Sequence, residues 1–217
     1  MQAPPIVKAL REQFQHVYWI GGGSAAGKTT VARRMATERG LQVYATDDVM
    51  ADHACRSTSE DSPLLHAFMG MDMDERWVNR APETMLETFH WFQGEGFDSI
   101  VEDLLRLPRE PGVIVEGFRL LPGLVKPLLA APNHAVWLLP TAEFRQSVVT
   151  ARAKSPSGFL ARTTNPERAL RNLLDRDRLF TDVLREETAR LELPVIEVDS
   201  TTSEDDLVRR VTEAFGM

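Results

Sequence analysis

The chain has one cysteine, two tyrosines and no long apolar run in 217 residues. The single cysteine, Cys55, excludes an internal disulfide and suits a reducing compartment. No stretch approaches the roughly 20 apolar residues that a membrane-spanning helix needs, and residues 1–16 lack the apolar core of a signal peptide. These absences predict a cytoplasmic protein with no membrane partner.

An excess of basic residues is also missing. The chain has 25 Lys and Arg against 32 Asp and Glu, which gives a net charge of −7. Binding to a phosphate backbone needs a basic face, so the charge argues against nucleic acid as the main partner. The length allows one large domain or two small ones, and we expect a single domain over residues 1–217.

What the sequence does have is the pattern G-x-x-x-x-G-K-T at residues 22–29. It follows an apolar run at residues 17–21 and precedes apolar positions at helical spacing, which is the strand–loop–helix context of a phosphate-binding P-loop. Glycines let the backbone N–H groups approach a polyphosphate, and the positive end of the next helix faces the same anion. The predicted nucleotide-binding residues are Gly22, Gly23, Ser24, Ala25, Ala26, Gly27, Lys28, Thr29 and Thr30.

Two residues of this loop have chemical roles that follow from their type. Lys28 can reach the β and γ phosphates of a nucleoside triphosphate, and the Thr29 hydroxyl can complete the coordination of a bound Mg²⁺. The alternative, a glycine-rich turn that carries a lysine by accident, is rare in a chain of this length. The sequence therefore predicts a nucleoside triphosphate site, with ATP and Mg²⁺ as its expected occupants.

Strand and helix signals alternate along the chain, which favours a parallel sheet covered on both faces. Short apolar runs predict strands at residues 17–21, 42–45, 113–116, 135–139 and 195–198. Helices are predicted from Thr29 to a C′ glycine at Gly40, from Pro82, from Thr141, from Pro166 to about Arg190, and after Ser203. Residues 49–111 are too long for one crossover and predict a helical insertion, and residues 152–166 predict a mobile lid loop.

Carboxylates follow two of the predicted strands. Asp47 and Asp48 come after the second strand and Glu116 ends the third, where ligands of open parallel sheets bind. Asp47 can accept the proton of an attacking hydroxyl, and Glu116 can organise Mg²⁺ or its waters. Asp48 is a candidate for substrate binding. The alternatives are a helix cap for Asp47 or Asp48 and a solvated strand end for Glu116.

Arginines supply the positive charge that phosphoryl transfer requires. Arg119, just beyond Glu116, and Arg80, near Trp77 in the insertion, are candidates for binding the substrate. Arg162, in the middle of the predicted lid, is the candidate catalytic arginine, with Arg152 at the base of the lid as a second choice. The alternative is an ordinary surface arginine, and the later arginines from Arg168 to Arg178 fit a helix face with i,i+4 ion pairs better.

These motifs together resemble the P-loop small-molecule kinases, which include nucleoside monophosphate, shikimate, gluconate and uridine kinases. The resemblance is carried by GGSAAGKTT, by ATDDV at the second strand end and by VEG at the third. It implies a three-layer α/β/α fold, a five-stranded parallel sheet in the order 2-3-1-4-5, an acceptor-binding insertion after strand 2 and an arginine-bearing lid. It also implies that Lys28 neutralises the transferred phosphoryl group, Thr29 binds Mg²⁺, Asp47 orients or deprotonates the acceptor, and Glu116 supports the metal.

The leading hypothesis is an ATP- and Mg²⁺-dependent phosphotransferase that acts on a hydroxyl or phosphate of a small-molecule acceptor. A kinase of nucleic-acid ends is a second hypothesis, against which the acidic charge counts. A non-catalytic nucleotide-binding regulatory module is a third. The guanine-reading motif N/T-K-x-D and the transporter signature L-S-G-G-Q are both absent from the sequence. The acceptor, the nucleotide preference and the oligomeric state stay open.

Overall fold

The chain folds around one five-stranded parallel sheet. The computed structural model describes the backbone of residues 5–153 and 159–217 and the side chains of residues 7–151 and 159–217. The strands are β1 (Val17–Gly22), β2 (Gln42–Ala45), β3 (Val113–Glu116), β4 (Ala135–Pro140) and β5 (Val195–Val198). They lie in the order β2-β3-β1-β4-β5 and pair in parallel. The predicted strands and the sheet order 2-3-1-4-5 are confirmed.

Helices connect the strands. They are α1 (Pro5–Gln13), α2 (Lys28–Arg39), α3 (Met50–Arg56), α4 (Pro63–Gly70), α5 (Pro82–Thr88), α6 (Phe97–Arg106), α7 (Pro122–Val125), α8 (Ala142–Ala153), α9 (Pro166–Arg190) and α10 (Glu204–Phe215). Shorter turns are a π-helix at Glu75–Asn79 and 3₁₀ helices at His90–Phe92, Lys126–Leu128, Pro132–His134 and Phe159–Arg162. Within the described ranges, no helix combines the length and the apolar character needed to cross a bilayer.

Side chains alternate between the two faces of the sheet along each strand, and nearly all residues of β1, β3 and β4 are buried. Trp19, Val115 and Trp137 belong to one apolar cluster, which includes residues of α6 and α9. Their neighbours Ile20 and Ile114 belong to the other, which includes residues of α2 and α10. The result is the predicted three-layer α/β/α architecture, in which the sheet is covered by helices on both sides.

Several helix ends form as their sequences predict. Gly40 follows α2 in the left-handed conformation, with φ of 65°, and its N–H donates to the carbonyl oxygen of Ala36. Thr141, Asn165 and Ser203 each accept a hydrogen bond from the backbone N–H three residues later, at the starts of α8, α9 and α10. These caps satisfy N–H groups that the first helical turn leaves unpaired.

The helical insertion between β2 and β3 is confirmed and contains α3, α4, α5 and α6. Met85, Phe89 and Phe92 lie at helical spacing, but the helix predicted from Pro82 does not reach Phe89. It ends at Thr88, and Phe89 has an extended backbone before the 3₁₀ turn His90–Phe92. Phe89 and Phe92 remain buried in spite of this break, because the turn keeps both rings in the same cluster.

The lid prediction needs a correction where the chain is described. Residues 152 and 153 belong to α8, and Phe159–Arg162 form a 3₁₀ turn, so the predicted loop is shorter than residues 152–166. Residues 154–158 and the side chain of Arg152 lie outside what the structure describes. The sequence also failed to predict α1, in which Arg11 Nε donates to the carbonyl oxygen of Pro127 at 2.8 Å.

Candidate functional site

The loop between β1 and α2 has a backbone that only certain residues adopt easily. Gly22 and Gly27 have φ of 128° and 81°, and Ala25 has φ of 65°. A Cβ at Gly22 would overlap the carbonyl group of Leu138 in the neighbouring strand β4. The glycine at position 22 is therefore required by close backbone packing as well as by its φ. The loop delivers the chain directly to the N-terminus of α2 at Lys28.

Lys28 lies across this loop. Its side chain is buried, and Nζ donates a hydrogen bond to the carbonyl oxygen of Gly23 at 2.7 Å. Burial raises the pKa of the Asp47 and Glu116 carboxyl groups, and the ammonium group is close enough to both to oppose that rise. A positive charge is thus held at the helix N-terminus, where the helix dipole also favours an anion.

Thr29 and Glu116 meet beside the loop. The Thr29 hydroxyl donates to Oε1 of Glu116 at 2.8 Å. Glu116 lies opposite Ile20 in the β1–β3 register, so the end of β3 is next to the end of β1. Burial raises the pKa of Glu116, and the Thr29 hydrogen bond and the charge of Lys28 partly oppose that effect. The strand therefore holds a carboxyl group in a poorly hydrated position.

Asp47 lies at the end of the neighbouring strand β2. The N–H of Thr46 donates to the carbonyl oxygen of Glu116 at 2.9 Å, which aligns the two strand ends. A Cβ at Gly117, whose φ is 150°, would overlap the Thr46 side chain, so this glycine permits the close approach. Asp47 is exposed at this edge, yet desolvation by the surrounding protein raises its pKa, and Lys28 opposes the shift. Asp48 follows it and is also exposed.

The oxygen ligands at this edge fit Mg²⁺ better than a softer metal. Because the Thr29 hydroxyl gives its hydrogen to Glu116, its oxygen lone pairs are available to a cation. Among the described residues no group of three or more His, Cys, Asp or Glu side chains forms a metal site. Mg²⁺ usually takes few protein ligands and keeps waters and substrate phosphates.

Arg119 has a different environment from the one predicted for it. It is 2% exposed, and its guanidinium donates to the carbonyl oxygens of Thr46 and Gly96 at 3.2 and 3.0 Å and to Nδ1 of His53 at 2.9 Å. It also lies 4.0 Å from the ring centroid of Trp91. These contacts support the strand end that carries Asp47. Substrate binding by Arg119 stays a prediction. In this structure the guanidinium is buried and is hydrogen-bonded to protein groups.

The other two predicted arginines also have structural surroundings that the sequence does not reveal. Arg80 donates to the carbonyl oxygen of Glu75 at 3.1 Å and to the Thr88 hydroxyl at 2.7 Å, which ties the π-helix to α5. Arg162 is exposed at the end of the 3₁₀ turn Phe159–Arg162. The roles predicted for Arg80 in substrate binding and for Arg162 in catalysis remain predictions.

A cavity of about 920 Å³ begins beside the loop, where Ser24 is one of its lining residues. Its walls come from α3, α4, residues 76–77 and 89–92 of the insertion, Phe118 beyond β3, Val149 of α8, the 3₁₀ turn Phe159–Arg162 and α9. Asn172 of α9 holds the π-helix by donating to the carbonyl oxygens of Trp77 and Val78, both at 3.1 Å. The helical insertion and the long helix α9 therefore build the cavity together.

Sequence reasoning missed the buried polar groups of this cavity. Arg176 and His90 both line it, with 5% and 2% of their surfaces exposed. The sequence predicts that Arg176 lies on a helix face with i,i+4 ion pairs and that His90 is a surface or core residue rather than a catalytic one. A signal for Arg176 was present, since Leu173 and Phe180 lie three residues before it and four after it, on the same helix face.

The strand order, the glycine loop and the lysine at the start of α2 define a P-loop α/β fold. No model of a known protein family matches the chain, and no curated protein matches it. The structure is similar to that of the YorR protein from Bacillus subtilis, crystallised in complex with phosphorylated GDP. The two are 13% identical, with a TM-score of 0.44 over 91% of this chain and 94% of the other. A likeness this weak supports no inference about function.

Proposed function

We propose that this protein is an ATP- and Mg²⁺-dependent kinase that transfers a phosphoryl group to a hydroxyl or phosphate of a small molecule. The observation that carries the proposal is the convergence of Lys28, Thr29, Glu116 and Asp47 at three adjoining strand ends, beside a cavity. A nucleotide-binding module needs only the group of residues at the strand ends. A transferase also needs a cavity for its acceptor, and Ser24 of the loop lines the cavity described above.

Each residue has a role that its surroundings support. Lys28 is held at the loop and would neutralise charge on the transferred phosphoryl group. Thr29 and Glu116 would hold Mg²⁺ directly or through water, and a bound Mg²⁺ would supply positive charge that offsets the charge of the phosphates. Asp47 would orient the acceptor group and accept its proton, because its carboxyl is exposed at the same edge.

The cavity favours a small molecule over a nucleic-acid end as the acceptor. Its lining is largely apolar and aromatic, and its volume lies within the range of pockets that enclose small ligands. A polynucleotide chain would instead need a basic groove that follows its backbone. The acidic net charge of −7 points the same way.

The test is a transfer assay with γ-labelled ATP, Mg²⁺ and pools of hydroxylated or phosphorylated small molecules. Labelled product should form with one or a few acceptors, and Lys28→Ala should reduce transfer by at least about 100-fold. Arg33→Ala is the matched control, because Arg33 is an exposed residue of the same helix. DNA and RNA ends are included as separate acceptors.

Two results would overturn the proposal. One is ATP turnover that is equal in wild type and in folded Lys28→Ala whatever acceptor is added. The other is tight Mg–ATP binding without transfer to any small molecule in pools that cover the main acceptor classes, which would favour a regulatory module. Transfer to oligonucleotide ends alone would replace the small-molecule acceptor with nucleic acid.

A further inference from the structure

The cavity beside the loop has walls rich in flat rings. Phe68, Trp77, Phe89, Trp91 and Phe92 all line it, and several meet edge to face at centroid distances of 4.8 to 5.8 Å. Such rings offer large apolar surfaces with few conformations to restrict on binding. A molecule with many hydroxyl groups would lose hydration here without regaining hydrogen bonds, which is costly. The walls favour a flat apolar body.

The charged residues that line the cavity are Arg76, Glu167, Arg176 and Asp177, of which Arg176 and Asp177 are buried. Nε and one terminal amino group of Arg176 donate to the same carboxylate oxygen of Asp177, at 3.0 and 2.6 Å. The other terminal amino group is buried and has no hydrogen-bond partner among the described residues. A buried N–H donor left unsatisfied is costly, so Arg176 retains an unmet demand for a hydrogen-bond acceptor.

Aromatic rings also fix the position of this guanidinium. Its central carbon lies 4.6, 5.0 and 5.2 Å from the ring centroids of Phe89, Phe92 and Trp77. Rings on several sides restrict the guanidinium to a narrow position, since its charge is attracted to their faces. A hydrogen-bond donor held rigidly among rings favours a planar ligand whose oxygen has a fixed position relative to its ring.

His90 adds a second polar group without adding charge. Burial, reinforced by the charges of Arg119, Arg176 and Arg76, lowers the pKa of His90 to about 3. The ring is therefore neutral at physiological pH, and its Nδ1 has no hydrogen-bond partner in the described part of the chain. The cavity thus offers a few separate polar groups within an apolar wall, the usual arrangement of a small-molecule site.

We propose that the acceptor is a flat aromatic molecule with an oxygen, as a carboxylate, sulfonate or ring carbonyl, that accepts a hydrogen bond from Arg176. That the ligand is the phosphoryl acceptor rests on the proposed function. The chemistry of the ligand rests on the cavity alone. The aromatic body packs against the rings of the insertion. The reacting hydroxyl or phosphate faces Ser24 and the loop, and the oxygen recognised by Arg176 lies on the α9 side.

The experiment measures ligand binding without nucleotide, so it does not depend on kinase activity. The probes are anilinonaphthalene sulfonate, a flat aromatic anion, and phenylnaphthylamine, which has the same ring system without the sulfonate. Binding is followed by dye emission and by energy transfer from tryptophan, since Trp77 and Trp91 line the cavity. The sulfonate dye should bind wild type saturably, with one high-affinity site.

Replacement of the Arg176 guanidinium should affect the affinities of the two dyes differently. Arg176→Gln should weaken the sulfonate dye by about tenfold or more, because a charge-assisted hydrogen bond is lost, and should change phenylnaphthylamine binding less than twofold. Arg171→Gln, an exposed position on the same helix, should change neither. Lys28→Ala should retain dye binding, which separates this proposal from the nucleotide site.

Three results would overturn the inference. These are the absence of saturable dye binding to folded wild type, an equal loss of both dyes in Arg176→Gln, and displacement of the dyes by simple sugars at the concentrations at which aromatic carboxylates act. If Arg176→Gln does not fold, Arg176→Lys and the wild-type preference between the two dyes give the same decision. Equal affinity of wild type for both dyes would then reject a role for the oxygen.

Discussion

Asp47 and Glu116 occupy neighbouring strand ends and have opposite surroundings. Asp47 is exposed, whereas Glu116 is 2% exposed and hydrogen-bonded to Thr29. Desolvation raises the pKa of both, and Lys28 opposes the effect in both. The exposed carboxyl group is accessible to an acceptor, and the enclosed one is fixed beside the threonine. We therefore expect substitutions of Asp47 and Glu116 to have different effects.

Asp47→Asn should reduce turnover by about 100-fold to 10,000-fold, the usual contribution of a general base, and should leave nucleotide affinity within about threefold. Proton acceptance needs the ionised carboxyl group, and its pKa is raised. In wild type, kcat/KM should therefore fall on acidification at a pH above the ordinary aspartate value of about 3.9. The measurement is a pH profile of transfer together with nucleotide titration by calorimetry.

Asp48→Asn gives the informative contrast to this variant. If Asp48 contacts the acceptor, KM should rise with little change in kcat. Full turnover in Asp47→Asn would show that Asp47 is not the base, whatever Asp48 does.

Glu116→Gln should cut turnover at least about tenfold, because the carboxylate that supports Mg²⁺ is lost, and should stabilise the fold. A carboxyl whose native pKa is raised favours its neutral form, so its contribution to stability is full at low pH. That contribution is lost as the pH rises from the ordinary value through the raised one. At neutral pH the amide, which still accepts the Thr29 hydrogen bond, should raise the free energy of unfolding by about 0.5–2 kcal/mol.

Urea unfolding at neutral and acidic pH measures the effect of this substitution. The gain should shrink on acidification, and Glu38→Gln, at an exposed position of α2, should show no such gain. A loss of stability at neutral pH in Glu116→Gln would contradict the assignment.

At the scale of elements, a partly buried network joins the insertion to the sheet. Asp103 of α6 accepts hydrogen bonds from the Tyr44 hydroxyl of β2 at 2.8 Å and from the Arg56 guanidinium of α3 at 3.0 Å. His53 of α3 also contacts Asp103, at 2.8 Å through Nε2. Arg119 can only donate, so its contact with Nδ1 makes Nε2 the protonated nitrogen of His53, and the network has one consistent direction.

Asp103→Ala should therefore lower the free energy of unfolding by about 2–3 kcal/mol, because Tyr44 and His53 lose a partly buried acceptor. The adjacent Glu102→Ala is the matched control. Glu102 is exposed and pairs with Arg106 at 3.4 Å, so its loss should cost no more than about 0.5 kcal/mol. Urea midpoints at constant m value give both numbers. Equal costs would mean that the network adds nothing beyond surface ion pairs.

Some elements could be predicted from the sequence, and others could not because they depend on tertiary packing. Strands were predictable because fully buried parallel strands are continuous apolar runs, as in β3 and β4. The P-loop carried its own signature. The end of α5 at Thr88 and the 3₁₀ turn after it depend on where the rings of Phe89 and Phe92 pack, which is a tertiary effect. The burial of Arg176 in the cavity wall could not be predicted, because it depends on the aromatic rings that surround the guanidinium.

At the scale of the whole molecule, the phosphate loop and the cavity share the edge at the strand ends but draw on different elements. The loop depends on β1, β3, β4 and α2. The cavity depends on the insertion and α9, which Asn172 joins at Trp77 and Val78. Ser24 is the residue where the two meet. Ligands of the two sites should therefore be separable by mutation, although both stabilise the same cooperative fold.

Mg–ATP at about 100 times its Kd should add about 2.7 kcal/mol to the free energy of unfolding, because it binds only the folded chain. For a chain of this size that gain corresponds to a rise in Tm of about 5–10 °C. Lys28→Ala should lose most of the rise, since its ammonium is held at the loop, while Arg33→Ala should keep it. Anilinonaphthalene sulfonate should still stabilise Lys28→Ala, because the cavity is built by other elements. A nucleotide-induced shift that survives in Lys28→Ala at wild-type size would place the nucleotide outside the loop and remove the basis of the kinase proposal.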